Sequence, residues 1–429
     1  MGQRCYNQTT KRGTMNSFRE IRVLWISGLV LFVFLAGCDE KAETIHPIDT
    51  PADNNSMQPY LFAHGKTIYM SWTEKLEDTQ AALYVSKYEN MRWSDKIELD
   101  RGQDWFVNWA DFPSISKSGN SLISHYLKKS DTATFAYDIR YLYSSDQGGN
   151  WSKSAKLHTD STKTEHGFVS FSPVDAGSFQ VAWLDGRNTS TTGGHDTHGG
   201  SGAMQLRSAK LNSKGQLIDE QLVDKRTCDC CQTSIVTTEA GSLIAYRDRS
   251  MNEVRDIYVS LLQDGKWSEP RPVYNDHWTI NGCPVNGPKL SAYKNKVCIA
   301  WFSAASDQPE VKLAFSDDGG LNFDNPVRID EGRPIGRVDV VLIDEKRAVV
   351  SWMESTDVDA ELRCALVDRE QGKISSFKVS DVSGARTTGF PQLEMMSGDL
   401  YFAWNQSSDE SQKIKMIRVQ LHNFEFRRE

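Results

Sequence analysis

The sequence predicts an all-β fold, a β-propeller of seven four-stranded antiparallel blades, with six blades as the alternative. An aromatic residue closes a short apolar strand at intervals of 51 to 63 residues along the chain. A polar turn motif recurs in phase with those strands, and no long segment has the 3.6-residue periodicity of a helix. Units of this length with about four strands each are typical of propeller blades.

The aromatic repeat gives the number of blades. Each of its members ends a segment of alternating or continuous apolar residues, such as Val-Cys-Ile-Ala-Trp before position 302, which is the pattern of a half-buried or buried strand. The seven aromatic residues are Trp72, Tyr126, Trp183, Tyr246, Trp301, Trp352 and Trp404. One such residue in each unit predicts that it occupies the same strand of every blade.

The second repeat has the form Ser-x-Asp-x-Gly-x-x-aromatic. Its two full copies are Ser144, Asp146, Gly148 and Trp151, and then Ser316, Asp318, Gly320 and Phe323; weaker copies run from Ser86 to Trp93 and from Ser260 to Trp267. The Asp can accept backbone N–H groups, the Gly can adopt a positive φ, and the aromatic ring can cover the sheet. The motif resembles the Asp-box of sialidase-like (BNR) propellers, and we expect it to be structural.

The N-terminus predicts export. Basic Arg19 and Arg22 precede an apolar run that ends in Leu-Ala-Gly-Cys38, which resembles a bacterial lipobox. We therefore predict a lipoprotein signal peptide over residues 1–38 with lipidation of Cys38, a polar tether over 39–57, and the propeller over 58–429. The predicted location is a periplasm-facing membrane or the cell surface.

The charge of the chain narrows the choice of partners. Residues 1–38 hold five basic residues and one acidic residue, so the remainder has 44 basic and 56 acidic residues and a net charge near −12. Such a body repels nucleic acid and anionic headgroups. We expect a monomer that binds a neutral or anionic glycan and that meets the membrane only through its lipid.

The resemblance to sialidases implies an exo-glycosidase with an arginine triad, an Asp acid/base and a Tyr–Glu nucleophile pair. The early Arg-Ile-Pro motif of that family is missing, and no nucleophilic tyrosine is evident in a late blade. In a propeller, the loops that enter the first strand and those that join the second to the third share one face, where function is expected. The catalytic candidates on these loops are Asp248, Glu165, Asp185 and Asp111.

The same loops carry the residues expected to bind substrate. Arginine suits a substrate carboxylate because its fork binds both oxygens and keeps its charge; alternating Arg and Asp can equally form a self-paired loop. The binding candidates are Arg187, Arg247, Arg249, Arg337, His166, Asn281, Asn286 and Asp339.

The cysteines divide into two groups. Cys298 and Cys364 lie in apolar strand patterns and are expected to be inert core residues. Cys228, Cys230, Cys231 and Cys283 open two adjacent units, which favours one or two disulfides in an exported protein. The alternative is a Zn or Cu site, to which His195 and His198 of a glycine-rich loop are candidates to add imidazoles; otherwise no cofactor is expected.

Three functions follow. The first is glycan hydrolysis by a sialidase-like exo-glycosidase, which requires arginines and carboxylates to converge. The second is a non-catalytic propeller that binds glycan or protein, favoured if the arginines and acids pair with one another. The third is metal or redox handling by the Cys and His residues.

Overall fold

The protein folds as a seven-bladed β-propeller in a computed structural model that describes residues 45–77, 79–189, 202–407 and 411–421. Each blade is an antiparallel sheet with four strand positions; in blades one and four, two short strands pair with the third strand and share the fourth position. The prediction of seven four-stranded blades is confirmed. The described residues contain no α-helix, only 3₁₀ turns at Ala305–Asp307 and Arg386–Thr388. None of their helical turns is long or apolar enough to span a membrane.

The first four blades follow the N-terminal strand β1 (Ile45–Ile48). Blade one comprises β2 (Ser56–His64), β3 (Thr67–Lys75), β4 (Ala81–Glu89), β5 (Arg92–Trp93) and β6 (Ile97–Gly102), and blade two comprises β7 (Ile115–Ser118), β8 (Ser121–Lys129), β9 (Tyr137–Ser144) and β10 (Ala155–Lys156). Blade three comprises β11 (His166–Pro173), β12 (Phe179–Asp185), β13 (Gln205–Leu211) and β14 (Leu217–Asp224). Blade four comprises β15 (Ser234–Thr238), β16 (Gly241–Arg247), β17 (Ile257–Gln263), β18 (Lys266–Trp267) and β19 (Arg271–Pro272).

The last three blades complete the ring. Blade five comprises β20 (Lys289–Tyr293), β21 (Lys296–Ser303), β22 (Glu310–Ser316) and β23 (Val327–Arg328); blade six, β24 (Pro334–Leu342), β25 (Arg347–Ser355), β26 (Ala360–Asp368) and β27 (Gly372–Val382); blade seven, β28 (Gln392–Met396), β29 (Asp399–Ser407) and β30 (Gln412–Gln420).

Blade seven takes its outer strand from the N-terminal end of the described chain. β1 pairs antiparallel with β30, with Ile45 opposite Val419 and Ile48 opposite Met416. The prediction of a tether over residues 39–57 is therefore wrong for residues 45–48, and also for residues 56 and 57, which begin β2. Ile45 and Ile48 pack against two different core clusters, and the pairing covers the edge of β30 that would otherwise be open.

The predicted aromatic repeat occupies the second strand of every blade. All seven side chains are buried, and Trp72, Trp183, Trp301 and Trp352 are completely so. Several indole N–H groups donate to an acid two residues onward: Trp72 to Glu74, Trp183 to Asp185 and Trp352 to Glu354. In each of these three strands, the indole ring is therefore buried while its N–H group keeps a hydrogen-bond acceptor at the end of the strand.

The two full turn motifs form the same hydrogen bonds. In the first, the Ser144 hydroxyl donates to Asp146 at 2.8 Å and accepts the N–H of Gly148 at 3.0 Å; Asp146 also accepts the N–H of Asn150. Gly148 has a φ of 88°, which an L side chain rarely adopts. Ser316, Asp318 and Gly320 and their neighbours repeat these bonds in blade five. The turn chemistry predicted from the sequence is therefore present, with a structural role.

The same kind of hydrogen bond, from a backbone N–H of one blade to a side chain of the preceding blade, occurs at three places in the ring; we call it the latch. In β2, β11 and β24, a residue with positive φ sits at a β-bulge, namely Gln58, Phe168 and Arg337. The backbone N–H of each donates to a side chain of the preceding blade: Asn405, Asp111 and Asn286 respectively. These contacts fix the inner strands relative to one another around the propeller axis.

Candidate functional site

A phenol and two carboxyl groups form one hydrogen-bonded group at the face where the chain enters blades two and three. The Tyr137 hydroxyl lies 2.6 Å from Glu165 Oε1 and 3.3 Å from Asp111 Oδ2. Tyr137 is fully buried, Asp111 is 2% exposed and Glu165 is 8% exposed. The structure therefore brings two of the four catalytic candidates together, through a tyrosine that the sequence analysis did not select.

Burial raises the pKa of all three side chains in this group. It raises the pKa of Asp111 to about 7, although the N–H of Phe168 and the Tyr137 hydroxyl stabilise the carboxylate. It raises the pKa of Glu165 well above the usual range, and the nearby negative charge of Asp111 adds to the effect. The pKa of Tyr137 is raised for the same two reasons, burial and neighbouring carboxylates. Because the pKa of Asp111 is near 7, this carboxyl group can donate a proton at neutral pH, as general acid catalysis requires.

The backbone places these side chains. Tyr137 begins β9 and pairs in parallel with Glu165, the residue before β11. Gly167 then leaves room for Asp111, because a Cβ at this position would overlap with the Asp111 carboxylate and lie 3.0 Å from the Tyr137 ring. Asp111 uses Oδ1 for the latch to Phe168 and turns Oδ2 toward Tyr137.

An axial cavity of about 340 Å³ runs between the inner strands of six blades and the entry segment of blade two, and Asp111 of that segment lies on its wall. Its other ionisable residues are Tyr60, Lys289, Asp339 and Glu394. Burial and the charge of Asp339 raise the pKa of Glu394 to about 8. Burial raises the pKa of Asp339 too, although Lys289 opposes this. Asp339, a substrate-binding candidate, also caps two backbone N–H groups, those of Val340 and Leu393.

Beside the acid group, His166 belongs to a second buried cluster. Its ring stacks on that of His158 at 3.7 Å between centroids, and both rings are completely buried. Asp160 lies 2.8 Å from His158 Nδ1 and 3.0 Å from His166 Nε2. Asp138 approaches the other face of the cluster, 3.2 Å from His158 Nε2.

Asp185 and Arg187 join this cluster. Arg187 donates to Asp185 at 2.7 Å and to Glu220 at 2.8 Å. Burial opposes ionisation of Asp185, but the hydrogen bonds from Arg187 and Trp183 lower its pKa. Because Asp185 also accepts from Trp183, it occupies the position that Glu74 and Glu354 have in blades one and six. Asp185 and Arg187 are thus engaged with each other and with the blade.

Two groups in this region have a geometry compatible with a metal ion. They are Asp138 with His158 and His166, and Asp160 with His166 and Asp185; within each, the ligand atoms lie within 4.8 Å of one another. Arg187 already binds Asp160 and Asp185 in the second group.

Arg247 contacts backbone rather than open space. Its three guanidinium nitrogens donate to the carbonyls of Asn286, Arg255 and Phe302 at 2.9, 2.6 and 2.6 Å, and its charge lies over the Trp278 ring. With 1% of its surface exposed, it ties blade four to blade five.

The neighbouring blade-four candidates are also engaged. Arg249 donates to Glu253 at 2.8 Å and to Asp229 at 3.1 Å. Asp248 lies beside other acids, so that burial and the charge of Asp224 raise its pKa to about 7. It is therefore placed in a different acid cluster from Glu165 and Asp111.

Arg337 and Asn286 link blades five, six and seven. Arg337 donates to the carbonyls of Ala385 and Gly389, both at 3.0 Å, and lies over the Trp109 ring. Burial lowers its pKa to about 10, and the charge of Arg386 adds to this. Asn286 receives the N–H of Arg337, whereas Asn281 is exposed.

The four arginines nominated for substrate binding therefore have separate sets of partners. Arg187 and Arg249 pair with acids, and Arg247 and Arg337 donate to backbone carbonyls. No contact among the described residues joins the four guanidinium groups into one cluster. Paired arginines of this kind were the observation expected to favour a binding propeller.

The cysteine-rich loop forms a compact sulfur cluster. Cys230 is bonded to Cys283, so the predicted disulfide between the entry loops of blades four and five is confirmed. Cys228 and Cys231 are free thiols whose sulfurs lie 2.7 Å apart. Cys298 and Cys364 are buried free cysteines within β21 and β26, as expected. His195, His198 and Cys38 lie outside the described residues.

Sequence reasoning missed Tyr137, His158, Asp160 and Arg255. Tyr137 begins the third strand of its blade, on the face where the candidate loops were sought, so examining strand starts as well as loops would have included it. The other three become notable only through residues distant in the chain: Arg255 donates to Cys228, for example.

The fold has relatives among solved structures. No protein-family model matches this sequence, and no curated protein matches it. A polysaccharide lyase described as an ulvan lyase aligns with 88% of this chain and 96% of its own, at a TM-score of 0.53 and 13% identity. A Dyadobacter fermentans protein of unknown function aligns with 88% of this chain and 98% of its own, at 0.50 and 11%.

A sialidase is also similar at lower score. The NanB sialidase of Streptococcus pneumoniae aligns with 85% of this chain and 86% of its own, at a TM-score of 0.46 and 9% identity. At such identities these likenesses concern the propeller scaffold alone, and activity has to be argued from the residues of this chain.

Proposed function

We propose that the protein is a glycan-processing enzyme, a glycoside hydrolase that uses Tyr137, Glu165 and Asp111. The observation that carries this proposal is the Tyr137 hydroxyl held 2.6 Å from Glu165 and 3.3 Å from Asp111. A tyrosine–glutamate pair with a nearby aspartic acid is the set of groups that the resemblance to sialidases implies.

Each residue has a distinct task in this proposal. Glu165 in its carboxylate form, which its raised pKa makes a stronger base, accepts the proton of the Tyr137 hydroxyl as that oxygen attacks the anomeric carbon. Asp111, with a pKa of about 7, donates a proton to the departing glycosidic oxygen. Of the three residues, only Asp111 lines the axial cavity, so in this proposal the sugar enters that cavity and reaches Tyr137 past Asp111.

The experiment is a turnover assay on a panel of neutral and anionic glycans with Tyr137→Phe, Glu165→Gln and Asp111→Asn. Loss of a general acid or base costs about 100-fold or more in kcat, and we expect such a loss in all three. Tyr141→Phe is the matched control, because Tyr141 lies in the same strand and donates to the Gly215 carbonyl. The proposal is wrong if all three variants retain wild-type turnover.

The products separate hydrolysis from elimination. A lyase leaves an unsaturated uronide that absorbs ultraviolet light, whereas a hydrolase leaves a saturated reducing sugar. An ulvan lyase that shares the fold was solved with a bound saccharide that contains glucuronic acid, which makes uronate-containing polysaccharides a necessary part of the panel. Unsaturated products would replace the hydrolase proposal by a lyase one.

A second candidate function is glycan binding without catalysis. It is favoured by the arginines, whose guanidinium groups are occupied by acids or carbonyls rather than open to a substrate carboxylate. Calorimetry would then detect a glycan that binds and is recovered unchanged, with the same affinity for Tyr137→Phe as for the wild type.

We also propose that the chain is an exported lipoprotein anchored through Cys38. Growth with a labelled fatty acid should label the wild-type protein in the membrane fraction. The Cys38→Ser variant should be unlabelled and should leave that fraction. Labelling of both forms would contradict the assignment.

A further inference from the structure

Four sulfur atoms from two blades meet in one place. Cys228 Sγ lies 2.7 Å from Cys231 Sγ and 3.9 Å from Cys230 Sγ, and Cys230 is bonded to Cys283 across a Cα–Cα distance of 6.1 Å. Cys228, Cys230 and Cys231 are at most 6% exposed, whereas Cys283 is partly exposed. Two free thiols thus lie directly beside a disulfide.

Cys228 and Cys231 stand in the Cys-x-x-Cys spacing of redox-active dithiols. Their environments differ as those of an attacking and a resolving thiol do. Burial opposes ionisation of Cys228, but the contact with Cys231 and the charge of Arg255, whose Nη1 lies 3.4 Å from the sulfur, lower its pKa to about 7. Burial and the neighbouring Cys228 raise the pKa of Cys231.

We propose that the four cysteines form a thiol–disulfide relay that interconverts two pairings of the same chain. In the first, Cys230 is bonded to Cys283, and Cys228 and Cys231 are thiols, as the structure has them. In the second, Cys228 is bonded to Cys231, and Cys230 and Cys283 are thiols. This activity is separate from the proposed glycan chemistry.

The interconversion balances within the chain. The Cys228 thiolate attacks Cys230 Sγ; a Cys228–Cys230 bond forms, the Cys230–Cys283 bond breaks, and Cys283 leaves as a thiolate. The Cys231 thiolate then attacks Cys228 Sγ, which releases Cys230. Two sulfur–sulfur bonds form and two break, one proton passes from Cys231 to a released thiolate, and no external oxidant is consumed.

The second pairing moves reducing equivalents toward the surface. Cys283 is the most exposed of the four, so it is the thiol that a partner disulfide can reach. Its thiolate attacks that disulfide, one partner thiolate leaves, and Cys230 then resolves the mixed disulfide and releases the second. The partner is thereby reduced by two electrons, and the Cys230–Cys283 bond is restored with Cys228 and Cys231 now bonded as well.

The test maps the pairings directly. Fully reduced protein is treated with one equivalent of oxidised glutathione, equilibrated at mildly alkaline pH, quenched in acid and alkylated after denaturation. Peptide mass spectrometry then reports which cysteines are bonded. We expect both pairings in the wild type, only Cys228–Cys231 in Cys283→Ser, and only Cys230–Cys283 in Cys228→Ser.

Two further variants guard against effects on folding. Arg255→Gln removes the positive charge beside Cys228 while leaving every sulfur in place, and we expect exchange to slow by about threefold or more. Cys298→Ser removes a buried free thiol outside the cluster and should leave both pairings unchanged.

Three results would overturn the proposal. The first is a wild type that holds only Cys230–Cys283 at every pH and time. The second is exchange at the wild-type rate in Arg255→Gln. The third is one tightly bound Zn or Cu per chain with Cys228 and Cys231 protected from alkylation, which would instead assign the cluster to a metal.

Discussion

At the scale of single residues, the candidate site depends on contacts between individual atoms that no sequence pattern predicts. Asp111 serves two neighbours with its two oxygens: one accepts the N–H of Phe168, and the other faces the Tyr137 hydroxyl. Both contacts require Gly167 between them, because any side chain there would overlap with Asp111. The acid group and the latch between blades two and three are therefore parts of one arrangement.

We predict that Gly167→Ala destabilises the fold and disrupts the acid group. Overpacking at a buried position of this kind costs about 1–3 kcal/mol in the free energy of unfolding. Gly282→Ala is the control, since a Cβ there would meet only Ile280, at 3.9 Å. Chemical denaturation measures both variants, and equal stability of the two would show that the crowding at Gly167 is relieved without cost.

Glu394 makes stability depend on pH. Its pKa is about 8 in the folded protein against an ordinary value of 4.5, so its contribution to stability is complete below the ordinary value and is lost as the pH rises toward 8. Glu394→Gln should therefore gain stability relative to the wild type as the pH rises across that range, by up to about 5 kcal/mol. Urea denaturation at several pH values tests this, with exposed Glu77→Gln as control; a constant difference would contradict it.

At the scale of elements, the ring closes through β1. The strand is only four residues long and polar in part, and the sequence around it has no repeat, so its role could not be read from local pattern. Its place is decided by β30, whose free edge it covers along four residue pairs. The bulges in β2, β11 and β24 are similar: they are needed for the contacts between blades, and a short strand pattern does not reveal them.

We predict that weakening β1 loosens blade seven. Ile45→Ala and Ile48→Ala each remove a partly buried side chain from a core cluster, at a cost of about 1 kcal/mol each. Ile218→Ala on β14, where the side chain is 39% exposed, should change stability much less. Denaturation together with limited proteolysis tests this; wild-type protease resistance in the double variant would indicate that β1 does not close the ring.

At the scale of the whole molecule, the structural turns and the candidate functional groups lie on different faces of the propeller. The Ser144 and Ser316 turns lie on the same face as the turns that join the first and second strands of their blades. The backbone N–H of Gln147 donates to the carbonyl of Asn120, and that of Gly319 donates to the carbonyl of Asn295. The acid group, the histidine cluster and the sulfur cluster are all built from strand-entry segments and second-to-third-strand loops. Their location on one face follows from the chain direction in the blades.

The negative charge of the whole body predicts how salt affects an anionic substrate. Repulsion between the acidic propeller and an anionic glycan weakens as ionic strength rises, because the Debye length falls to about 8 Å near physiological salt. KM for an anionic glycan should therefore fall with added salt, while KM for a neutral one stays constant. Steady-state kinetics at several salt concentrations would decide; a rising KM would point to a local positive site that outweighs the net charge.

The sequence by itself determined the class of fold and the face that carries the polar loops, and it favoured seven blades over six. It could do so because strand periodicity, turn chemistry and the aromatic repeat are local patterns that recur in every blade. It also selected Glu165, Asp111 and the four loop cysteines, since polar residues at strand entries stand out against apolar strands.

Only the tertiary structure decided which of those residues meet. Arg247 and Arg337 look like free charges in sequence, yet each satisfies carbonyls of other blades, because a buried guanidinium must have its donors paired. Tyr137 is joined to Glu165 and Asp111, and Arg255 to Cys228, by contacts between residues 26 to 28 positions apart. Such pairings depend on how strands pair within a blade and on how neighbouring blades pack, and that information is not present in any local segment of the chain.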